Sequence, residues 1–296
     1  MPLSLRSLAI LALLVTPQIR AAQSTPAQMP EVTSTSSVGG LNEEQPADQT
    51  GRPEWTSHRR FPTTRVYIQD APGEVSFEQW LRYRDFRDGS TEARFQEEIE
   101  IGLPYRFQLD IYETWLANEH HRAYQDECSF ELRYALADWG KLPLNPTLYL
   151  EYTVGNQKPN AIEGKLLLGQ DLTSRLHYGF NFAFEQEVSG GKSSEFTFSQ
   201  GLSYTLMDEL VSVGVEMEYS IETERGARSN AEQQFLIGPS VQIRPTHNTH
   251  LDLVGLIGTN DKAPNVEGFI VFGIDFGKAD GAGESHGYSP VSVRSR

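Results

Sequence analysis

The chain has 296 residues, with 25 Lys and Arg against 40 Asp and Glu, a formal net charge of −15 and a sequence pI near 4.9. Binding along a phosphate backbone needs a basic face, so this balance excludes nucleic acid as an expected partner, and it excludes docking to anionic lipid by charge alone. The single cysteine, Cys128, excludes an internal disulfide.

Met1 to Ser7 carries one arginine, Leu8 to Val15 is apolar, and small residues follow at Ala21 and Ala22. This is the pattern of a secretory signal peptide over residues 1–21, and its apolar core is too short for a permanent helical span. Residues 22–72 are dominated by Ser, Thr, Pro, Gln, Gly and Glu and show no apolar periodicity, so a disordered leader is expected there. From residue 73 to 277 the pattern changes to strict alternation, and residues 278–296 are again Gly/Ser-rich, the composition of a flexible tail.

The alternating region divides into about twelve strand-like segments. The first lies near 74–86. In Phe95–Leu103, Phe95, Ile99, Ile101 and Leu103 fall on one face, and Gln96, Glu98 and Glu100 on the other. Segments near 106–117 and 126–137 follow. Leu148–Val154 then sets Leu148, Leu150, Tyr152 and Val154 against Tyr149, Glu151 and Thr153. After a segment near 161–171, Leu176–Phe184 carries Leu176, Tyr178, Phe180, Phe182 and Phe184 on one face. Further segments lie near 194–206, 211–219, 232–244, 249–258 and 266–276.

One face is continuous and apolar, and the other is too charged to be a dry core. The apolar faces could pack on each other in a soluble periplasmic β-sheet carrier, or face lipid in a membrane barrel. Segments of about 9–13 residues match a tilted membrane strand better than a soluble one. Tight turns are expected at 103–106, 171–174 and 206–209, with fairly compact ones at 143–146 and 245–248. Longer polar loops are expected at 87–93, 118–126, 155–161, 186–194, 222–232 and 258–266. Strict alternation of short and long connections is what a barrel with two unlike rims requires. Closure also removes the two edges that an open sheet would expose. The expected fold is therefore all-β, an antiparallel transmembrane β-barrel of about twelve strands, located in the outer membrane. The mean hydropathy of −0.44 does not bear against it, because alternating strands average to a soluble-looking value.

Two stretches carry a family resemblance. Glu98–Asp110, an acidic strand followed by Gly-Leu-Pro and a returning strand, resembles outer-membrane barrels of the phenol-degradation MetA-pathway family. Phe235–Ile243, with its Gly-Pro-Ser, is similar to a late strand of that family, and the last strand, ending at Phe276, to the closing strand recognised during barrel insertion. The resemblance spans residues 73–277. It implies a barrel of about twelve strands with a role in passage of small organic molecules, and no catalytic residues. Outer-membrane lipid, the barrel-insertion machinery and a small organic solute are the partners it implies. The long leader and the tail beyond Phe276 depart from the pattern.

The strand phase points Glu98, Glu100, Asp110, Glu131, Glu151, Glu163, Glu185, Glu216, Glu218 and Asp275 into the lumen, together with Arg82, Arg84, Arg133 and Lys165. An excess of fixed negative charge in a pore favours cations, so passive passage or binding of a small solute through an acidic lumen is expected. The alternative is a structural or interaction barrel whose lumen is plugged. Glu98/Glu100 and Glu216/Glu218 have the spacing of metal or acid/base pairs, but any polar strand face produces it by chance. His120 and His121, with Glu119, Asp126 and Glu127, could gather a divalent ion in an external loop. No cofactor or metal is expected. No enzyme is expected either: His177 lies near Ser174 and Asn181, but a nucleophile motif is missing.

Overall fold

Strict alternation is realised as twelve antiparallel strands: β1 (Val75–Asp85), β2 (Thr91–Leu103), β3 (Phe107–Asn118), β4 (Tyr124–Ala135), β5 (Thr147–Gly155), β6 (Ala161–Thr173), β7 (Leu176–Glu187), β8 (Ser194–Met207), β9 (Val211–Thr223), β10 (Glu232–Thr246), β11 (Thr249–Gly258) and β12 (Val266–Phe276). The structure, a computed structural model, describes residues 40–277. The expected signal peptide and tail, and the leader before residue 40, lie outside the described residues.

Each strand pairs with its sequence neighbours, and β1 closes on β12 from Val75↔Phe276 to Asp85↔Val266. Closure leaves no unpaired edge, and the outer face is apolar: Ile99, Leu150, Phe184, Val215, Ile257 and Phe272 are all exposed. Charged residues on the same strands turn inward, with Glu98, Glu100, Asp110, Glu131 and Glu216 fully buried. Exposed apolar side chains outside and buried charges inside invert the pattern of a soluble protein. Only a barrel whose outer wall meets lipid satisfies both halves. The apolar faces therefore do not pack on each other, and the soluble-carrier alternative does not describe this chain.

The two rims differ. The start of β1, the end of β12 and the turns 104–106, 174–175, 208–210 and 247–248 share one rim; the loops 86–90, 119–123, 156–160, 188–193, 224–231 and 259–265 form the other. By the usual orientation of such barrels, the rim of short turns is periplasmic. One connection breaks the rule. Residues 136–146 join β4 to β5 on the short-turn rim and are not compact, because Trp139 folds over the barrel mouth and its backbone N–H donates to the Thr50 carbonyl at 2.9 Å.

Residues 40–72 depart from the expected disordered leader. They run through the lumen as irregular chain with 3-10 turns at Asn42–Glu44 and Glu54–Thr56 and a bridge between Pro46 and Pro53. Trp55, Phe61, Tyr67 and Ile68 are buried in a cluster with Ala135, against which Trp139 packs. A polar segment cannot order itself on an apolar core, but this one meets a polar, charged wall that supplies hydrogen-bond partners for its Arg, Thr, Gln and Asp side chains.

A charge placed on the outer wall tests the membrane assignment. Leu150, on the outer face at the middle of β5, is 57% exposed. Leu150→Arg is expected to lower barrel stability in lipid by about 2–4 kcal/mol, read from urea unfolding in vesicles and from loss of the heat-dependent shift on SDS gels.

Candidate functional site

The inner strand faces form two regions. In the half near the short-turn rim, five carboxylates from β1–β4 converge: Glu78, Glu98, Glu100, Asp110 and Glu131. Oxygens of Glu78, Glu98 and Glu100 lie within 4.8 Å of one another, as do those of Glu98, Asp110 and Glu131. That is metal-site spacing, but guanidinium groups fill the space. Arg59 of the inserted segment reaches Glu78 at 2.7 Å, Glu100 at 2.8 Å and Glu98 at 3.6 Å. Arg65 reaches Glu98 at 2.9 Å and Glu100 at 3.2 Å. Arg133 of β4 bonds Asp110 at 2.6 Å and also Glu131. Arg59 and Arg65 additionally lie over the Trp80 ring at 4.4 and 5.8 Å, so both cations have an aromatic face as well as carboxylates.

The other side of the segment is seated on backbone. Gly169, Gly179 and Gly201 are cross-strand neighbours on β6, β7 and β8. A Cβ on Gly169 would stand 2.3 Å from Val66 Cγ1, one on Gly179 2.7 Å from Val66 Cγ2, and one on Gly201 2.4 Å from Phe61 Cδ1. The glycine row is a trough that lets Phe61 and Val66 approach the wall. Next to it, the Arg65 N–H donates to Asn181 Oδ1 and Asn181 Nδ2 donates to the Arg65 carbonyl, both at 2.7 Å. Thr63 donates through its N–H and its hydroxyl to Glu216 at 2.8 and 2.6 Å. His58 sits 3.0 Å from Asp275.

Where the segment enters, Glu43 and Glu44 meet His177. Glu43 is 3.2 Å from His177 Nε2 and 2.9 Å from Arg60. Trp55 stacks on the same imidazole at 4.5 Å and donates to Asp171, which also bonds His177 Nδ1. Burial alone would raise the Glu43 carboxyl, but hydrogen bonds from His177 and Thr205 and the charge of Arg60 hold it at about 2. Burial, with Asp171 nearby, lifts Glu44 to about 7.

Above the segment the lumen opens toward the long-loop rim as a cavity of about 320 Å³. Pro62, Thr63 and Arg65 form its floor. Its walls are electrically opposed. Arg82, Arg84 and Arg94 stand on β1 and β2, with Arg84 on Glu267 at 2.8 Å and Arg94 on Glu127 at 3.2 Å. Across from them, Glu151, Glu163, Glu185 and Glu195 are successive register partners on β5 to β8, and Lys165 touches Glu163 at 2.7 Å. The cavity lining has five basic and six acidic side chains.

All fourteen residues expected to line the lumen lie on inward faces, in two groups with different surroundings. Glu98, Glu100, Asp110, Glu131 and Arg133 surround the inserted arginines, Glu216 and Asp275 hold other parts of the segment, and Arg82, Arg84, Glu151, Glu163, Lys165 and Glu218 line the open cavity. Glu185 faces inward beside Glu163 and Glu195. The loop set did not assemble: His120 and His121 are exposed on Asn118, whereas Asp126 and Glu127 turn inward onto Lys158. Sequence reasoning missed Arg59, Arg65 and the glycine trough. The signal was there in four arginines, Arg52, Arg59, Arg60 and Arg65, set among Trp55 and Phe61 in a leader that precedes an acidic barrel.

Fold and site define an outer-membrane β-barrel filled at one end by its own N-terminal segment. Residues 161–274 match the model of the family described as "Putative MetA-pathway of phenol degradation", which spans β6 through most of β12 and includes the Phe235–Ile243 motif but not Glu98–Asp110. No curated protein matches the chain. Among solved structures it is similar to the NanC porin, with 10% identity over 69% of this chain and 99% of that one at a TM-score of 0.49. It is similar to the KdgM porin, with 11% identity over 68% and 98% at 0.46. A third is the translocator domain of the autotransporter NalP from Neisseria meningitidis, with 10% identity over 70% and 90% at 0.43.

Two predictions follow from this geometry. Gly179→Leu puts a side chain where Val66 sits, so the segment is displaced while the barrel stays closed; trypsin is expected to cut at Arg59, Arg60 and Arg65 about tenfold faster than in the wild type, because cleavage tracks the undocked population. The second is a pH dependence. Glu44 binds its proton more tightly when docked, so its contribution to docking declines as pH rises from 4.5 to about 7. Glu43 acts in the opposite sense, and its contribution is lost only as pH falls from 4.5 toward 2. Exchange protection of the 42–45 amides, corrected for intrinsic rates, is expected to drop between pH 5 and 7.5, and Glu44→Gln to abolish the drop.

Proposed function

We propose that this barrel binds a small dipolar solute in its outward-facing cavity and passes it inward when the N-terminal segment yields. One observation carries the reading: a cavity of about 320 Å³ with opposed basic and acidic walls stands directly above a lumen closed by residues 40–72. Carboxylates directly opposite one another on adjacent strands repel, and Glu151, Glu163, Glu185 and Glu195 form such a row with Lys165 as the neighbouring cation. A solute carrying an ammonium or similar cation relieves that wall, and an anionic group on the same molecule meets Arg82, Arg84 and Arg94. A molecule with separated charges fits better than a simple cation.

The resting state is closed, because the arginines of the segment are the counter-ions of the wall. Passage requires exchanging those ion pairs for water or for solute contacts. The rival reading is a barrel whose lumen is permanently plugged, and the number of buried ion pairs on Arg59 and Arg65 favours it.

Planar-bilayer conductance separates the two. The wild type is expected to be closed with brief openings. Removing one partner of a buried pair costs about 3–5 kcal/mol, so Arg59→Ala/Arg65→Ala is expected to raise open time at least about tenfold. A double variant that stays silent with residues 40–72 still protected from protease would leave the permanently plugged barrel standing, and one that stays silent with residues 40–72 released would overturn passage through the lumen.

A further inference from the structure

The outer wall carries one feature that lipid does not explain. Gln79, Glu97 and Glu113 point outward, each near the middle of its strand, and they are successive register partners: Gln79↔Glu97 across β1 and β2, and Glu97↔Glu113 across β2 and β3. Cys128 of β4 continues the row beside Glu113. Glu113 is exposed, and Gln79 and Glu97 are half-buried. Gln79 Nε2 donates to the Gln96 carbonyl at 3.0 Å. Neither outward carboxylate has a hydrogen bond or ion pair among the described residues. Midway along β5 to β12 the outward side chains are apolar, as at Leu150, Phe182, Val215, Leu253 and Ile270. Gln200, the mid-wall exception there among the described residues, accepts a hydrogen bond from the Tyr178 hydroxyl at 2.9 Å.

A carboxylate facing hydrocarbon is expensive, so polar groups at this depth face a partner. We infer that the β1–β3 wall joins two copies of this chain in the membrane. The row is self-complementary. Neighbouring strands are evenly spaced, so Gln79 and Glu113 flank Glu97 at equal distances. A two-fold axis along the membrane normal through Glu97 reverses the row in the partner copy. Strands tilted by about 40° make the row climb roughly 3 Å per strand, so the axis sets the two Glu97 side chains against each other and leaves Gln79 about 6 Å from the level of Glu113 of the partner subunit, a gap these two long side chains can span. A carboxamide and a carboxyl group complement each other as donor and acceptor, and two carboxyls can hold one proton between them. The wall is also recessed here: Leu81, Phe95 and Trp115 border a hollow of about 500 Å³ next to Gln79 and Glu97, so apolar side chains of a second wall have a place to seat. A contact with any other face of a second copy meets no mid-wall base and no second polar row, so the axis through Glu97 is the arrangement that satisfies the groups.

The test uses the full chain in its native membrane. Glu97→Cys in a Cys128→Ser background brings the two new thiols together on the axis, and mild oxidation is expected to give a disulfide-linked dimer. Val215→Cys in the same background, on the opposite wall, is expected to give none. In mild detergent the wild type is expected to have twice the mass of the chain by light scattering. Glu97→Leu/Glu113→Leu is expected to have the mass of one chain while keeping its heat-dependent gel shift. Absence of the Glu97→Cys dimer, equal crosslinking at Val215→Cys, or a Leu/Leu variant that stays dimeric overturns the inference. A Glu97→Cys crosslink to a different polypeptide does so as well, and assigns the wall to that partner.

Discussion

Carboxylates turned into the lumen of a closed barrel need water or a cation, and in the inner half of this one they have Arg59, Arg65 and Arg133. Two of these three belong to the inserted segment rather than to the wall. The same contacts that hold residues 40–72 in place therefore neutralise Glu78, Glu98 and Glu100 on β1 and β2. Neither component is well satisfied alone: without the segment the wall holds a cluster of like charges, and without the wall the segment is a polar chain with no core. Buried ion pairs are a weak source of net stability but a strong source of specificity, since a slipped register leaves a charge unpaired. That explains a plug built of arginines with few apolar anchors.

The apolar anchors are placed where the wall permits them. Phe61 and Val66 lie over Gly169, Gly179 and Gly201, so the packing side of the segment faces β6 to β8 and its charged side faces β1 to β4. Trp55 and Tyr67 meet Trp139 edge-on at 5.8 and 5.3 Å, which accounts for the long connection between β4 and β5 on a rim of tight turns. The division fixes the position of the open cavity. It begins at Pro62, Thr63 and Arg65, where the segment turns, and inherits the wall charges that no residue of the segment reaches.

The twelve strands and their phase were legible because a membrane barrel imposes one rule on every strand: apolar out, polar in, period two. A run such as Leu176–Phe184 admits one phase only, and the structure has it. The plug was not legible because its order comes from the partner it meets. Residues 40–72 have no periodicity of their own, and their composition is that of a disordered chain when the partner is assumed to be an apolar core. Against a charged lumen the same composition provides the contacts. The expectation of an acidic pore was built on the wall alone. Adding up wall residues counts the carboxylates of β2 to β4 but omits the arginines that arrive from outside the barrel sequence. Asp126 and Glu127 show a local version of the problem: a bulge between Thr114 and Trp115 shifts the β3–β4 register, and both carboxylates face the lumen rather than the histidine loop.

The same rule gives meaning to its exceptions. On an inner face, a glycine where neighbouring strands carry polar side chains marks the place where something packs against backbone, as Gly169, Gly179 and Gly201 do under the plug. On an outer face, a polar side chain where neighbours are apolar marks the place where lipid is not the solvent. Gln200 breaks the rule alone and is satisfied within the wall by Tyr178. Gln79, Glu97 and Glu113 break it together, in register on three adjacent strands, which a random polar substitution does not produce. In each case the strand alternation states what the environment should be, and the departure from it locates a contact: on the inside with the chain's own leader, on the outside with another wall.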